Sequence, residues 1–185
     1  MPATLVPPGK EAVGFAVPAE PTRLCPSDAE RYMALRKRML ADAPWAFTAT
    51  AADDVALDIE FLRTALARDD NAILAVVEDG GPELLAVAGI YRMENPKFAH
   101  RAKLWGVFVD ARHRGIGLGR AVTTAALALA TNWRELRYID VGVSENSTET
   151  LGLYQSLGFV EWGREPEATQ HGSHRYDEIH MSLRV

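Results

Sequence analysis

The chain has one cysteine, Cys25, so it can form no disulfide within itself. That thiol is expected to pack in a strand rather than react. No apolar run approaches the roughly 20 residues that span a bilayer as a helix. Basic residues are outnumbered, 20 against 25 acidic, for a formal net charge of −5. That balance argues against a nucleic-acid or anionic-membrane binder. No internal repeat and no low-complexity block occurs, and Gly-Lys-Ser/Thr is absent, which excludes a P-loop. The opening residues lack the basic start and long apolar stretch of a signal peptide, so a cytoplasmic location is expected. Residues 1–20, rich in Pro, Gly and Ala, are expected to be a flexible leader. Residues 21–185 are expected to form a single domain.

What is present is an alternation of strand-like and helix-like segments. Thr22–Cys25 reads as a short first strand, broken by Pro26. Tyr32, Leu35, Met39 and Leu40 fall at helical spacing and predict a helix over 28–41. Val55, Ile59, Leu62 and Leu66 predict a second over about 54–68, after a turn-rich loop holding Pro44, Trp45 and Phe47. Ala72–Val77 and Leu84–Tyr91 read as strands joined by the turn residues Glu78–Pro82. Ala102–Val109 is a further strand, followed by glycines and a helix running to about Thr131. Tyr138–Val143 is the next strand, 147–157 a short helix, and Phe159–Trp162 and Glu178–Leu183 two closing strands. The order predicts a mixed α/β domain, one central sheet with helices on both faces.

The most informative stretch is Val109–Val122, VDARHRGIGLGRAV. Three glycines alternate between Arg114 and Arg120, after a strand and before a helix. The first N–H groups of a helix have no internal partner, and with the helix dipole they attract anions. Bare glycines would let a phosphate reach that backbone, and the arginines add charge. A dinucleotide fingerprint fails on spacing, since position 120 is Arg where G-x-G-x-x-G needs glycine. The other reading of the glycines is a plain strand–helix turn.

Arg114-Gly-Ile-Gly-Leu-Gly119 matches R-x-x-G-x-G and resembles the acyl-CoA-binding motif of the GNAT acetyltransferases. Val107–Arg112 is similar to that family's fourth strand and its exit, and Leu153-Tyr-Gln-Ser-Leu-Gly-Phe159 to its L-Y-x-x-x-G-F signature. The resemblance covers about residues 22–185. It implies a mostly antiparallel sheet of about seven strands, splayed between the fourth and fifth. It also implies transfer of an acetyl group from acetyl-CoA to an amine, most simply that of a small molecule or amino acid. A protein acceptor and a non-catalytic acyl-CoA-binding module are the alternatives. Homodimers are common in such proteins, and nothing in this sequence decides the matter.

The resemblance distributes roles. Arg114, Gly115, Ile116, Gly117, Leu118, Gly119 and Arg120 would hold the pyrophosphate. Backbone groups of Val107 and Val109 would pair with the pantetheine arm, and a backbone N–H of Phe108 or Val109 would face the thioester oxygen. The family's usual asparagine position is Ser147 here, with Asn146 one residue earlier; either could serve the cofactor arm, or both could be helix caps. Tyr154 stands where the family commonly places a general acid, and would otherwise be a core tyrosine. The fourth strand has no carboxylate, leaving Glu94 and Glu145 as candidate bases, or water. Trp45 and Phe47 are candidate walls of the acceptor site, together with a polar loop over 163–176. His171 and His174 lack a third ligand, so no metal site is expected.

Overall fold

A computed structural model describes residues 20–185, so the expected leader lies, save for Glu20, outside the described residues. Seven strands form one sheet: β1 (Thr22–Arg23), β2 (Asn71–Val77), β3 (Leu84–Arg92), β4 (Arg101–Val109), β5 (Tyr138–Ser144), β6 (Val160–His171) and β7 (His174–Arg184). Four α-helices cover it: α1 (Ala29–Asp42), α2 (Ile59–Leu66), α3 (Leu118–Ala130) and α4 (Thr148–Ser156). The strand order is β1-β2-β3-β4-β5-β7-β6, and β4–β5 is the parallel pair among antiparallel neighbours. No helix of the described residues is long and apolar enough to cross a membrane.

The strands read as expected because each face of the sheet is buried under helices. In β5, Ile139, Val141 and Val143 point into one core with Ile179 and Met181 of β7. Leu118, Val122, Ala126 and Ala130 recur at four-residue steps along α3 and close that core. On the opposite face Tyr32, Leu35 and Met39 of α1 and Leu62 and Leu66 of α2 pack on Ile73, Ala75 and Val87. The second helix is shorter than the periodicity predicts: Val55–Leu57 is a separate 3₁₀ turn. Asp58 then caps α2, accepting from the N–H groups of Glu60 and Phe61, a contribution of about 1 kcal/mol.

Two irregularities shape the middle of the sheet. Opposite β3, Val87 pairs with Phe108 but Gly89 pairs with Trp105, so β4 carries one extra residue there. Gly106 takes it up at φ +59, a conformation that favours glycine. The extra residue switches the faces: Leu104 points to the α3 core, yet Phe108 points to the α1 core. The second irregularity is the expected splay. Pairing of β4 with β5 stops after Arg101–Lys103 against Tyr138–Asp140. The paired end is pinned by Arg101, whose Nε and Nη2 donate to Asp140 at 2.7 and 2.5 Å.

Two sequence expectations need correction. Residues 163–176 are not a loop: β6 runs through to His171, β7 starts at His174, and they turn at Gly172 and Ser173. Both faces of this hairpin are polar and largely exposed, so no apolar alternation marked it as strand. Cys25 does not pack in a strand. It is exposed, and its backbone N–H donates to Asp28 Oδ2 at 3.0 Å, ahead of α1.

Candidate functional site

The exit of β4 is set by Asp110. Its carboxylate accepts from the Arg112 backbone N–H and the Arg112 Nε, both at 3.0 Å. The Arg112 guanidinium holds the Asp110 carboxyl down at about 2, against burial, which pushes it up. The chain then enters α3 through Gly117, the N-cap residue, at φ +89. The first helical bond is from the Ala121 N–H to the Gly117 carbonyl, leaving the N–H groups of residues 118–120 without helical partners.

The three glycines have separate duties. Gly115 and Gly117 have positive φ, and a Cβ on either would meet nothing within 4 Å, so both face open space. At Gly119 a Cβ would sit 3.4 Å from Val109 Cγ2 and 3.7 Å from Leu153 Cδ2, so this position lets α3 close on β4 and α4. The glycines thus make the turn into α3 and leave its first N–H groups open to the groove. Arg114 lies along the mouth: its Nε donates to the Val109 carbonyl at 3.1 Å, and its guanidinium pairs with Asp42.

A groove of about 480 Å³ opens here. It brings together Val107, Phe108, Val109, Arg114, Gly115, Gly117, Leu118 and Gly119 with Asn146 and Ser147 across the splay, and Trp45 and Phe47 at one end. The β4 edge that borders it has no pairing to β5 beyond Lys103. Ser147 is the N-cap residue of α4, but its side chain makes no capping bond. Asn146 Oδ1 accepts from the Ser144 hydroxyl at 2.6 Å.

Five predicted residues, Tyr154 among them, are not part of the groove lining. Ile116 is 47% exposed. The Arg120 side chain reaches α4, donating to Ser156 Oγ at 2.7 Å, so only its backbone N–H serves the helix terminus. Glu94 is ion-paired with Arg68 at 2.6 Å and lines a separate cavity beside α2. Glu145 holds Arg164 at 3.3 Å and accepts from the Asp177 backbone N–H. Tyr154 is 3% exposed and packs on Phe159, ring centroids 5.5 Å apart. Burial pushes its hydroxyl far above the usual range, so it stays protonated, and it makes no hydrogen bond among the described residues.

A second, smaller cavity of about 190 Å³ adjoins the groove and shares Trp45, Ala46 and Phe47 with it. Its other lining includes Arg36, Lys103, Trp105, Gly106, Gly142, Asp177 and Glu178. Arg36 is nearly sealed from solvent and donates through Nε to Asp54 Oδ2 at 2.6 Å. Its guanidinium lies 4.8 Å from the Phe47 ring centroid and 5.8 Å from that of Trp105. Sequence reasoning missed Arg36, Gly142 and Glu178. Arg36 sits in the run Arg36-Lys-Arg38, which resembles a solvated helix face. Gly142 did leave a signal: a lone glycine inside an alternating strand marks a close approach.

Comparison with known proteins agrees with this geometry. The acetyltransferase (GNAT) family matches residues 33–159. A mycothiol acetyltransferase from Salinispora tropica is 31% identical over 136 residues, 74% of this chain and 42% of that protein. The mouse N-acetyltransferase 8B is 30% identical over 137 residues, 72% of this chain and 56% of that protein. The chain thus spans about half the length of these curated relatives or less. Among solved structures, a GCN5-related N-acetyltransferase from Kribbella flavida superposes with a TM-score of 0.75 at 24% identity, covering 90% of this chain and 97% of that one. The yncA protein of Salmonella typhimurium, solved with its cofactor acetyl-CoA, gives 0.73 at 17% identity, covering 90% and 94%. These likenesses share the seven-stranded architecture described above, and the chain belongs to the GNAT family of acetyltransferases.

Proposed function

We propose that the protein is an acetyl-CoA-dependent N-acetyltransferase acting on the primary amine of a small molecule or amino acid. The observation that carries this reading is the meeting of two cavities at the unpaired edge of β4, one beside a free helix N-terminus and one lined by ionisable side chains. The names of the mycothiol acetyltransferase and N-acetyltransferase 8B relatives support it.

Acetyl-CoA supplies an activated acetyl thioester. The chain's own groups do the rest. The N–H groups of residues 118–120, with Arg114 swung from Asp42, hold the pyrophosphate. The free edge of β4 at Val107 and Val109 pairs with the peptide-like arm as an added strand would. A backbone N–H of Phe108 or Val109 faces the thioester oxygen as it gains charge. Ser147, whose hydroxyl makes no cap, and Asn146 close the far wall. Tyr154 gives its proton to the departing sulfur. Its helix borders the groove through Thr150 and Leu153, and burial keeps the phenol protonated at neutral pH.

The acceptor amine must lose a proton. A lysine-like amine has a reference pKa of about 10.4, so at neutral pH a few in ten thousand are free base. Glu94 and Glu145, both held in ion pairs away from the groove, are poorly supported for that task. The small cavity behind Trp45 and Phe47 is the better place for the acceptor.

The test is calorimetric titration with acetyl-CoA, CoA and NAD, followed by an amine screen for thiol release. Saturable binding of both CoA species, none of NAD, and turnover with an amine are expected. Binding without turnover of any amine would point to a CoA-binding module instead. No binding would reduce the glycine stretch to a turn.

A further inference from the structure

The small cavity is lined by two side chains of opposite charge that are not fully partnered: Arg36, paired with Asp54 through Nε alone, and Glu178. On Arg36 only the Nε–H is used, and Nη1 is buried without any hydrogen-bond partner. A buried guanidinium donor left unpaired is costly and calls for an explanation. Nη1 faces Gly106, where a Cβ would lie 3.7 Å from it. That glycine also lines the cavity. Glu178 is the other charge. It stands on the face of β7 opposite the buried Ile179 and Met181. Its Oε1 lies over Gly142 of β5, where a Cβ would come within 1.6 Å. Any side chain at 142 would therefore displace this carboxylate. The neighbouring Asp177 is engaged by Arg164 and by the Glu167 N–H, whereas the Glu178 carboxylate makes no hydrogen bond or ion pair among the described residues.

We propose that the acceptor is an amino acid, or a small amine that likewise carries an acid group: Glu178 receives its ammonium and Arg36 its carboxylate. This rests on the acetyltransferase reading and names its substrate class. Both residues line one cavity of about 190 Å³, a volume suited to a small ligand. Lys103, Trp105 and Phe47 also line it, and the two rings lie against the Arg36 guanidinium. The ammonium passes one proton to Glu178. The freed amine nitrogen then bonds to the acetyl carbon while the carbon–sulfur bond breaks. The nitrogen's surplus proton and the one taken up by Glu178 leave to solvent, and the sulfur takes its own from Tyr154, which is reprotonated from solvent.

The test compares an amino-acid panel with the corresponding amino-acid amides and with plain alkylamines, using the unaltered protein and acetyl-CoA. Amino acids should be preferred in kcat/KM by about ten- to a hundredfold, the worth of one charge-assisted contact. Glu178→Gln should lower kcat/KM for the amine with acetyl-CoA affinity unchanged. Arg36→Lys should erase the preference for acids. If that variant does not fold, the acid-versus-amide ratio of the unaltered protein still decides the point. Amides that serve as well as acids would overturn the proposal, as would a Glu178→Gln protein with normal kcat/KM. Saturable acetyl-CoA binding with no amino acid turned over would also overturn it, while leaving the cofactor groove standing. Failure to bind acetyl-CoA would sink both readings together.

Discussion

The two cavities that meet at β4 are built by different means. Much of the groove is backbone: the N–H groups of residues 118–120 and the bare edge of β4 lie within one stretch of chain, with Trp45, Phe47, Asn146 and Ser147 reaching it from other elements. The smaller cavity is made of side chains. Arg36, Trp105 and Glu178 come from α1, β4 and β7, far apart in sequence. A backbone site recognises what every user of the same cofactor shares, and it needs glycine because any side chain intrudes. A side-chain site is free to vary and so can set which acceptor is taken. Each can therefore be damaged without the other.

Substitutions that separate the two follow, from the largest expected effect down. Tyr154→Phe should lower kcat by about a hundred- to ten-thousandfold with acetyl-CoA affinity unchanged, the range for loss of a general acid. Steady-state kinetics beside calorimetry reads both, and normal turnover would leave Tyr154 as a core residue only. Gly117→Val would force a β-branched residue to φ +89 at the mouth of α3. It should cost about 1–3 kcal/mol of stability and remove most acetyl-CoA binding. Thermal melts and titration together check this.

Gly142→Ala should do the opposite. Its Cβ would displace the Glu178 carboxylate, so kcat/KM for the amine should fall about tenfold while acetyl-CoA binds as before. A parallel loss of cofactor affinity would show that the cavities are not separable. Arg114→Ala should weaken acetyl-CoA binding by about tenfold, since one charge-assisted contact is lost. The melting temperature should hardly move, because the Arg114–Asp42 pair is exposed.

The smallest effect concerns acid. The Asp110 carboxyl, held at about 2 by Arg112, has an ordinary value of 3.8 when unperturbed. A group lowered on folding contributes stability that is complete above 3.8 and is lost as pH falls through about 2. Asp110→Asn should flatten the melting temperature over that window. The change should be modest because Arg112 is well exposed. An equally steep acid loss in the variant would assign the sensitivity to other carboxylates.

Legibility followed the same division. The helical period of α1 and α3 and the alternation of β5 were readable because each element buries one face. The polar hairpin of β6 and β7 was not, since its strand character comes from pairing alone. The glycine-rich side of the groove was legible as a bare entry to a helix because its residues are contiguous, whereas Trp45, Phe47, Asn146 and Ser147 reach it from other elements. Arg120 was misjudged in its side chain, which the position of α4 draws aside to Ser156. Glu94 and Glu145 were plausible by their strand ends, yet Arg68 and Arg164 claim them.

By itself, then, the sequence determined the order of elements and the glycine-lined entry to α3. Both depend on local spacing: apolar residues every second or every third to fourth position, and glycines where a helix must begin with its backbone bare. Only the tertiary structure decided where the small cavity lies and which side chains line it. Arg36, Gly142 and Glu178 are separated by long stretches of chain, and no local pattern links them. They meet because an extra residue at Gly106 turns β4 and the splay from β5 leaves the space open.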